Sequence, residues 1–349
     1  MKHFTLHILA ALLLLTSCEY KDLCYDHNHW VDVKVEFDWT EAPEALTRTD
    51  GGSSTGMGMT VLFYNIDNPE AEPIRYDLPG SNGGTVRLQP GTYKAVAYNY
   101  DTETILYRGM YMPEALEAYT RQSSIEEGTL MAFTRGSMPR AAGAEEEQVI
   151  LEPDPLWGAV SEEFTLKMSG ATRYKNSADT RSANAQTIYT LTMQPTTRVK
   201  EVDITITNVP NLQYTNQFGG SLSGLSPSVW MQSGIPGEGR VSQAFTCSVI
   251  DETTLQMRFR IFGHCPHFDE GYANAHLLTI YAILADGSKW YYTNDVTDQM
   301  HDSSSSTPTD DNHIYIELDD LPVPKPIVNG SGFQPTIDGW QGVEIEVGM

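Results

Sequence analysis

The feature that most constrains the fold is a regular alternation of apolar and polar residues. Apolar side chains occupy every second position of residues 31–39, and charged side chains occupy the positions between them. Successive side chains of a β-strand point to opposite faces of a sheet, so this spacing predicts a strand with one buried face. The pattern recurs at 199–207 and 255–262, whereas the 3.6-residue period of a helix is almost absent. The chain is therefore predicted to fold mainly as β-sheet.

Other segments of strand length are separated by turn signals. Residues 277–284 are nearly all apolar, which predicts a central strand that is covered on both faces. Residues 85–88 and 92–98 flank a Gln-Pro-Gly sequence, and Pro followed by Gly at the centre of a turn predicts a hairpin. A short helix is predicted within 113–121 and a surface loop at 169–186. Further strands are predicted at 59–65, 148–152, 188–193, 245–250, 289–293, 313–318 and 343–347.

The length of the chain predicts more than one folding unit. At about 150 residues per domain, 349 residues suggest two domains. Many short strands separated by turns favour antiparallel sandwiches. We therefore predict an all-β protein with two tandem β-sandwich domains, an N-terminal one at 31–157 and a C-terminal one at 158–349.

The first residues are typical of an export signal. One cation, Lys2, precedes an apolar run at 8–15 that ends just before Cys18. Leu15, Thr16 and Ser17 before this cysteine resemble the bacterial lipobox, in which the cysteine is acylated and becomes the new N-terminus. We expect residues 1–17 to be a lipoprotein signal peptide, Cys18 to carry the lipid, and residues 18–30 to form a tether. No later apolar stretch approaches the roughly 18 residues that span a bilayer.

Charge and motifs exclude several classes of function. The formal net charge is −24, and such a surface repels the phosphate backbone of nucleic acids. The sequence has no nucleotide-binding glycine motif and no His-Glu-x-x-His motif. Residues 52–56 match Gly-x-Ser-x-Gly, but a nucleophile elbow needs a strand before it and a helix after it, and this loop has neither. We predict no enzymatic activity and no cofactor.

Clusters of metal-ligand residue types occur, and each is interpreted as part of a loop. His264, Cys265, His267, Asp269 and Glu270 lie close together, but a closed zinc site needs four ligands in tetrahedral geometry and no second pair has matching spacing. No metal site is therefore predicted. Weaker clusters, also assigned to tether or loops, are Cys24 with His27 and His29, and Asp295 with Asp298, Asp302, Asp310 and Asp311.

The remaining cysteines and one aromatic run leave alternatives open. Cys247 and Cys265 are interpreted as structural, and whether they bond is left undecided. Trp290, Tyr291 and Tyr292 are consecutive on a predicted strand, so at least one ring should point away from the core. An exposed ring there would favour glycan binding, and a covered second face would explain the run equally well.

The order of these motifs resembles the fimbrillin-type lipoproteins of the Bacteroidales, particularly fimbrial anchor and minor subunits and related surface lipoproteins. The resemblance rests on the lipobox at Cys18, the strand from Val31, the segment 86–93, the segment 154–158, and the segment 189–199. It implies two transthyretin-like (Greek-key) β-sandwich domains, a lipid anchor in the outer membrane, and a role in attaching, capping or decorating a fimbria. It also implies that no enzymatic activity is present.

The resemblance further implies that one loop is a point of regulation. Stalk subunits of this family are cut after an arginine behind the first strand, and Arg48 lies in such a loop. Cleavage there would remove the strand at 31–39 and leave a groove for a strand from another subunit. We favour an uncut anchor or accessory subunit that binds fimbrial partners by strand addition. The terminal strand, predicted at 343–347, either completes its own sheet or is offered to a neighbouring subunit.

A second function remains open from the sequence. A monomeric surface lipoprotein that binds glycans or host proteins would have the same signal and the same fold class. The lipid would hold either protein at the outer membrane, on its periplasmic face or its outer face. An exposed aromatic surface would favour this alternative, and association with fimbrial subunits would favour the first.

Overall fold

The computed structural model describes residues 30–46, 57–129, 131, 138–167, 188–265, 276–301, 312–326 and 339–344. The first half of this set contains strands β1 Val31–Phe37, β2 Met59–Asn65, β3 Ile74–Leu78, β4 Gly83–Leu88, β5 Gly91–Asn99, β6 Ile105–Arg108, β7 Glu117–Thr120, β8 Gln122–Ser123, β9 Gln148–Ile150, β10 Trp157–Val160 and β11 Phe164–Leu166. The second half contains β12 Tyr189–Met193, β13 Thr196–Thr197, β14 Lys200–Thr207, β15 Thr215–Leu225, β16 Ser228–Trp230, β17 Val241–Thr246, β18 Ser248–Val249, β19 Leu255–Ile261, β20 Leu277–Leu284, β21 Lys289–Asp295, β22 His313–Asp319 and β23 Trp340–Glu344. The described helices are short: α1 Ile125–Gly128, α2 Thr297–His301, and 3-10 turns at Pro43–Leu46, Pro113–Ala115 and Leu212–Tyr214.

The predicted all-β fold is confirmed, and two pairs of sheets form two sandwiches. The first sandwich places the three-stranded sheet β12-β1-β4 against the sheet β13-β10-β5-β2-β3, to which β11 is attached through β5. Its core includes Val33 and Val35 from the thin sheet and Val61, Phe63 and Tyr93 from the larger one. Because residues of both sheets share one buried cluster, each sheet covers the apolar face of the other.

The second sandwich follows the same principle with longer strands. The sheet β18-β19-β14-β22 packs against the seven-stranded sheet β23-β21-β20-β15-β17-β9-β8. Ile204 and Phe259 from the smaller sheet share a core with Leu222, Phe245 and Ile280 from the larger one. The transthyretin-like topology within each sandwich stays a prediction.

Both large sheets are covered on their outer faces as well. Leu62 and Val96, on the outer face of the first sandwich, pack with Val229 of the small sheet β16-β7-β6 and with Leu116, which directly precedes β7. Ile125 of α1 belongs to the cluster that covers the outer face of the second sandwich. Strand β20 is therefore buried on both faces, as its continuous apolar sequence predicts.

The predicted hairpin at 85–98 is wrong. Strand β4 pairs with β1, whereas β5 pairs with β2, β10 and β11, so the turn after Leu88 carries the chain from one sheet to the other. Val86 and Leu88 of β4 and Tyr93 and Ala95 of β5 face the same core from opposite sides. The chain does bend at Pro90, where the Gln-Pro-Gly sequence lies, but a bend does not determine whether the strands on its two sides pair.

The short helix predicted within 113–121 is present only in part. Only Pro113–Ala115 is helical, as one 3-10 turn, and Glu117–Thr120 forms β7 between β6 and β16. Leu116 and Ala118 are buried against the outer face of the first sandwich. The packing of this face decides the conformation, because helix propensity contributes only a few tenths of a kcal/mol per residue.

Strand pairing crosses the predicted domain boundary at 157/158 in both directions. Strand β10 spans the boundary, and β11 to β13 follow it, yet all of them join sheets of the first sandwich. Strand β9, before the boundary, pairs in parallel with β17 of the second sandwich. Strand pairing describes the sheets and does not show which part of the chain folds as an independent unit. The domain boundary at 157/158 therefore stays a prediction. Among the described residues, no helix is both long and apolar enough to cross a membrane.

Candidate functional site

The first strand is held on both sides. Strand β1 pairs in parallel with β12, from Val33 opposite Tyr189 to Phe37 opposite Met193. On its other side it pairs antiparallel with β4, from Val31 opposite Leu88. In the described part of the chain, neither β4 nor β12 pairs with any other strand. Within the described residues, strand β1 is therefore the only connection between the two outer strands of the thin sheet.

The inner face of β1 and the residues after it supply much of the first core. Val33 and Val35 are 0% exposed, and Phe37 and Trp39 are 9% and 7% exposed. Burying a side chain of this kind contributes about 1.5 to 3 kcal/mol, so the four together contribute roughly 6 to 12 kcal/mol. That amount is comparable with the whole stability of a typical domain, about 5 to 15 kcal/mol.

Polar contacts fix both ends of the strand. Asp32 accepts a hydrogen bond from Arg87 at 3.1 Å, and Trp39 Nε1 donates to the carbonyl of Ser81 at 2.8 Å. Asp38 accepts from the backbone and side chain of Thr40 and from Gln194, and these bonds lower the pKa of its carboxyl. The contacts of Trp39 and Gln194 extend the anchoring of this segment beyond the paired residues.

The last described strand has a different position. Strand β23 pairs in parallel with β21 and forms one edge of the seven-stranded sheet, while the two-residue β8 forms the other. Trp340 packs edge-to-face on Tyr281 with ring centroids 5.5 Å apart. A Cβ at Gly342 would lie 2.4 Å from Tyr291 Oη, so glycine lets this strand approach the sheet closely. Edge strands leave backbone N–H and C=O groups available to another chain.

Several residues singled out by the sequence lie outside the described residues. These are Cys18, Arg48, the segment 52–56, Cys24 with His27 and His29, His267 with Asp269 and Glu270, and Asp302 with Asp310 and Asp311. The predicted lipidation of Cys18 and cleavage after Arg48 therefore stay predictions. Cys247 and Cys265 are both free thiols, and burial raises the pKa of Cys247. Asp295 accepts hydrogen bonds from Thr297 at the start of α2.

The aromatic run on β21 does not form an exposed platform. Tyr292 is fully buried in the second core, and Trp290 packs against that core. Tyr291 packs on the opposite face, in the cluster that includes Tyr281 and Trp340. The covered second face is therefore the correct interpretation of this run. The most exposed aromatic residue of the described chain is Tyr111, which is 68% exposed and lies far from β21 in sequence.

An ion pair with a buried carboxylate was not found by sequence reasoning. Glu117 of β7 accepts two hydrogen bonds from Arg108, at 2.5 and 2.7 Å, and one from the Ser228 hydroxyl. Burial alone would raise the pKa of Glu117, but these hydrogen bonds and the Arg108 charge outweigh it and hold the pKa below its usual range. The only sequence signal was an acidic residue in a segment with apolar neighbours, and that signal is weak.

A second set of polar contacts is made by segments that connect the strands. Arg260 of β19 donates to the Pro153 carbonyl at 3.0 Å and pairs with Glu152 at 2.8 Å. Burial raises the pKa of Glu152, although the Arg260 charge opposes this effect. Arg198 donates to the Met231 carbonyl at 3.2 Å and to Thr196, and burial lowers the pKa of its guanidinium to about 10. Such contacts stabilise the arrangement of β19 and of these connecting segments.

One group on the outer face of β14 has metal-ligand residue types. His313 Nε2 lies 2.9 Å from Glu201 Oε2 and 3.7 Å from Asp203 Oδ2. Asp203 is also paired with Arg258 at 2.6 Å. Because Arg258 already pairs with Asp203 and the other two residues are only half-buried, the group is explained as a network of ion pairs and hydrogen bonds on a sheet surface.

Comparisons with known proteins give one family and several relatives. Residues 17–246 match the family described as "Domain of unknown function (DUF5119)". The "Putative fimbrium anchoring subunit Fim4B" of Bacteroides ovatus is 24% identical over 95% of this chain and 94% of its own length. The crystal structure of a "putative adhesin" from the same species has a TM-score of 0.54 and 19% identity, and the match covers 88% of this chain and 99% of that one. The "fimbrial anchor protein Mfa2" of Porphyromonas gingivalis has a TM-score of 0.46 and 12% identity, over 83% and 90% of the two chains.

Proposed function

The chain belongs to the DUF5119 family, and we propose that it is an outer-membrane lipoprotein that serves a fimbria as an anchor, accessory or minor structural subunit. The resemblance to Bacteroidales fimbrial anchor proteins is confirmed by a relative that aligns over nearly the full length of both chains. That relative is described as a fimbrium anchoring subunit, which supports the same role here. The likeness to the B. ovatus adhesin concerns the fold alone.

The position of β1 is the observation that carries this proposal. The strand is central in its sheet, buries Val33 and Val35 completely, and is the first described element after the predicted lipid attachment site. A protein held by a lipid at Cys18 would transmit tension from the membrane directly into β1. Because both neighbours of β1 bond to it along five or six residues, this strand is well suited to bear such a load.

The lipid would provide the membrane attachment. Each buried methylene of an acyl chain contributes about 0.8 kcal/mol, and stable anchoring takes more than one chain. A diacylated or triacylated Cys18 meets this requirement without a membrane-spanning segment. The protein would then be tethered to the outer membrane, on its periplasmic or outer face.

Strand addition is the proposed mode of assembly. Loss of β1 after cleavage at Arg48 would leave β4 and β12 with unpaired edges on both sides of an apolar groove. We propose that the chain remains uncut, so that this groove stays filled and the edge at β23 is the one offered to a fimbrial subunit. Backbone hydrogen bonds would supply affinity there, and no catalytic group is needed. The proposed role is therefore non-enzymatic.

A pull-down from the native membrane tests the proposal. Tagged wild-type chain is expected to co-purify with fimbrial subunits, and Cys18→Ala is expected to leave the membrane fraction. Arg48→Ala is the matched variant and is expected to behave as wild type in both respects. Absence of fimbrial subunits, together with a signal on a glycan array, would contradict the proposal and favour a monomeric glycan-binding lipoprotein.

Mass spectrometry of the mature N-terminus tests the anchoring step separately. An acylated Cys18 is expected as the first residue of the membrane-bound protein. A mature chain that begins at Thr49 would identify a cleaved subunit and would rule out the uncut anchor. The same result would predict that β1 is replaced by a strand from another chain.

A further inference from the structure

The second sandwich has four edge strands, and two of them are long. Within the described residues, β18 and β22 are the edges of the smaller sheet, and β23 and β8 are the edges of the larger one. Strands β18 and β8 contain two residues each, whereas β22 contains seven and β23 contains five. An edge strand leaves backbone N–H and C=O groups free for a strand of another chain, and a very short edge offers few of them. Strand addition to this sandwich therefore has two candidate edges, β22 and β23.

Alternate residues of β22 face its open side. The strand pairs in parallel with β14, and the carbonyl of Asn312, directly before β22, accepts from the Glu201 backbone of β14 at 2.8 Å. Backbone groups of successive residues point to opposite sides of a strand, so those of Tyr315 and Glu317 point away from β14. An added strand would bond to these groups.

The side chain of Gln299 in α2 already occupies this edge. Its Oε1 accepts from the Glu317 N–H at 2.8 Å, and its Nε2 donates to the Glu317 carbonyl at 3.1 Å. The partners fix the orientation of the amide, because a backbone N–H only donates and a carbonyl only accepts. In an antiparallel ladder, two opposite residues exchange both N–H···O=C bonds in the same way. The Gln299 amide therefore takes the place of one residue of an added strand.

Helix α2 is itself held by the rest of the sandwich. Met300 is 5% exposed and belongs to the second core. Thr297 Oγ1 accepts from the backbone of His276, directly before β20, at 2.8 Å, and His276 Nε2 lies 3.0 Å from His301 Nε2. Gln299 lies between these contacts in the sequence, so the fold keeps its amide at the edge of β22.

We propose that Gln299 closes the β22 edge to strand addition, so that β23 is the edge of the second sandwich at which a partner strand adds. The part that concerns β23 rests on the proposed fimbrial function, whereas the closure of β22 concerns the chain alone. Gln299 is thus a residue that determines specificity. It adds no affinity at β23, but it excludes the competing edge.

A second copy of the chain provides a probe for the closed edge. Two β22 strands that pair antiparallel, with Tyr315 opposite Glu317, also place His313 opposite Asp319. No two carboxylates are then directly opposite each other, so this pairing is compatible with the charges of the strand. The Glu317 backbone would bond to the other copy at the position that the Gln299 amide fills. Self-association through β22 is therefore expected only when this amide is removed.

Hydrogen exchange of the full chain tests the closure. Gln299→Gly is expected to speed exchange of the Glu317 backbone amide roughly 10-fold, because its hydrogen bond is lost. Asp298→Gly is the matched control: Asp298 is exposed on the same helix, so this variant loses a similar helix propensity but keeps the amide. Equal exchange at Glu317 in the two variants would overturn the proposal. Gln299→Glu, which cannot donate to the Glu317 carbonyl, replaces the glycine variant if circular dichroism shows that the latter is unfolded.

The oligomeric state tests whether the edge becomes available. Light scattering after size-exclusion chromatography in detergent should show dimers of Gln299→Gly, and monomers of Asp298→Gly and of the wild type. Adding Tyr315→Pro to Gln299→Gly should restore the monomer, because proline removes an N–H on the open side and leaves the pairing with β14 intact. A Gln299→Gly chain that stays monomeric, or a dimer that survives Tyr315→Pro, would contradict the proposal.

The fimbrial complex tests which edge the partner uses. In the wild-type complex purified from native membranes, exchange should slow at 340–344 and stay unchanged at 313–319. Slower exchange at 313–319 would overturn the proposal. If no fimbrial subunit co-purifies, the proposed function fails, while the two experiments on the isolated chain still decide whether Gln299 closes β22.

Discussion

The two sandwiches depend on their terminal strands to very different degrees. In the first sandwich, β1 is the central strand of a three-stranded sheet and pairs with a partner on each side. In the second, β23 is an edge strand that pairs only with β21 in the described chain. A terminal strand is thus essential in the first sandwich and peripheral in the second, because β1 pairs with two strands and buries more side-chain area than β23, which pairs with one.

In the proposed fimbrial role, this difference separates two tasks of the protein. The first sandwich is closed around the segment that would lead to the membrane, so its integrity and its attachment are linked. The second has a complete core formed by β14, β19, β20 and β15, with β23 added at the margin. We expect changes at β1 to unfold a sandwich and changes at β23 to alter only its edge.

The largest effect is expected from a charge placed inside the first core. Val35 is 0% exposed, and Val35→Asp should lower the free energy of unfolding by at least about 4 kcal/mol, through lost apolar burial and an unpaired buried carboxylate. Val343→Asp, on the half-buried edge strand, should cost about 1 kcal/mol. Urea unfolding monitored by circular dichroism measures both changes. Equal losses would show that the two terminal strands are equivalent.

A somewhat smaller effect is expected at the centre of the second sandwich. A Cβ at Gly220 of β15 would lie 2.3 Å from Phe245 Cε2, and the Phe245 ring is stacked on Phe259 at 4.3 Å. Gly220→Ala should therefore destabilise the chain by about 1 to 3 kcal/mol. Gly339→Ala, next to β23 and with nothing within 4 Å of its Cβ, is the control and should change stability by less than about 0.5 kcal/mol.

The Glu117 ion pair should make stability depend on pH. The pKa of Glu117 is lowered from 4.5 in the folded chain, so its contribution is present above about pH 4.5 and is lost as the pH falls through the lowered value. Glu117→Gln should cost about 1 to 2 kcal/mol at neutral pH, because Arg108 is largely exposed and its charge is screened. Unfolding between about pH 6 and pH 3 should show a shallower slope for the variant. An unchanged slope would contradict the assigned pKa direction.

The smallest effect is expected from removing the edge strand itself. A chain that ends before Trp340 loses the Trp340 contact with Tyr281, but it also no longer orders five residues, each of which costs about 1 to 2 kcal/mol of backbone entropy. The net change in stability should stay within about 1 kcal/mol. Thermal unfolding measures it, and collapse of the second sandwich would show that β23 is part of the core.

Much of the secondary structure was predictable because burial of one face imposes a period of two. Strands β1, β2, β14, β19 and β20 were located within one or two residues of their predicted bounds. Strand β15 was missed, since Gly219, Gly220 and neighbouring serines have low strand propensity. This segment is nevertheless central in its sheet, because Gly220 makes room for Phe245 and Gly219 makes room for Thr129.

The candidate sites were less predictable than the strands. His264 was noticed for its neighbours in sequence, yet the rings that approach it belong to His276 and His301, which lie beyond β19 and at the end of α2. The covered face of Tyr291 was left open for a similar reason, because the cluster against which it packs is built from residues of different strands. Contacts between distant segments leave no local pattern in a single sequence.

By itself, the sequence determined that the chain is all-β, which face of each regular strand is buried, and that β20 is covered twice. Only the tertiary structure decided that β4 leaves β5 to pair with β1, that β12 joins β1 from 156 positions away at Val33 and Tyr189, and that three histidines share one corner. The physical reason is that alternation encodes the direction of side chains, whereas the backbone groups that join strands are the same in every residue. The partner of a strand is therefore chosen by how all the buried faces pack together.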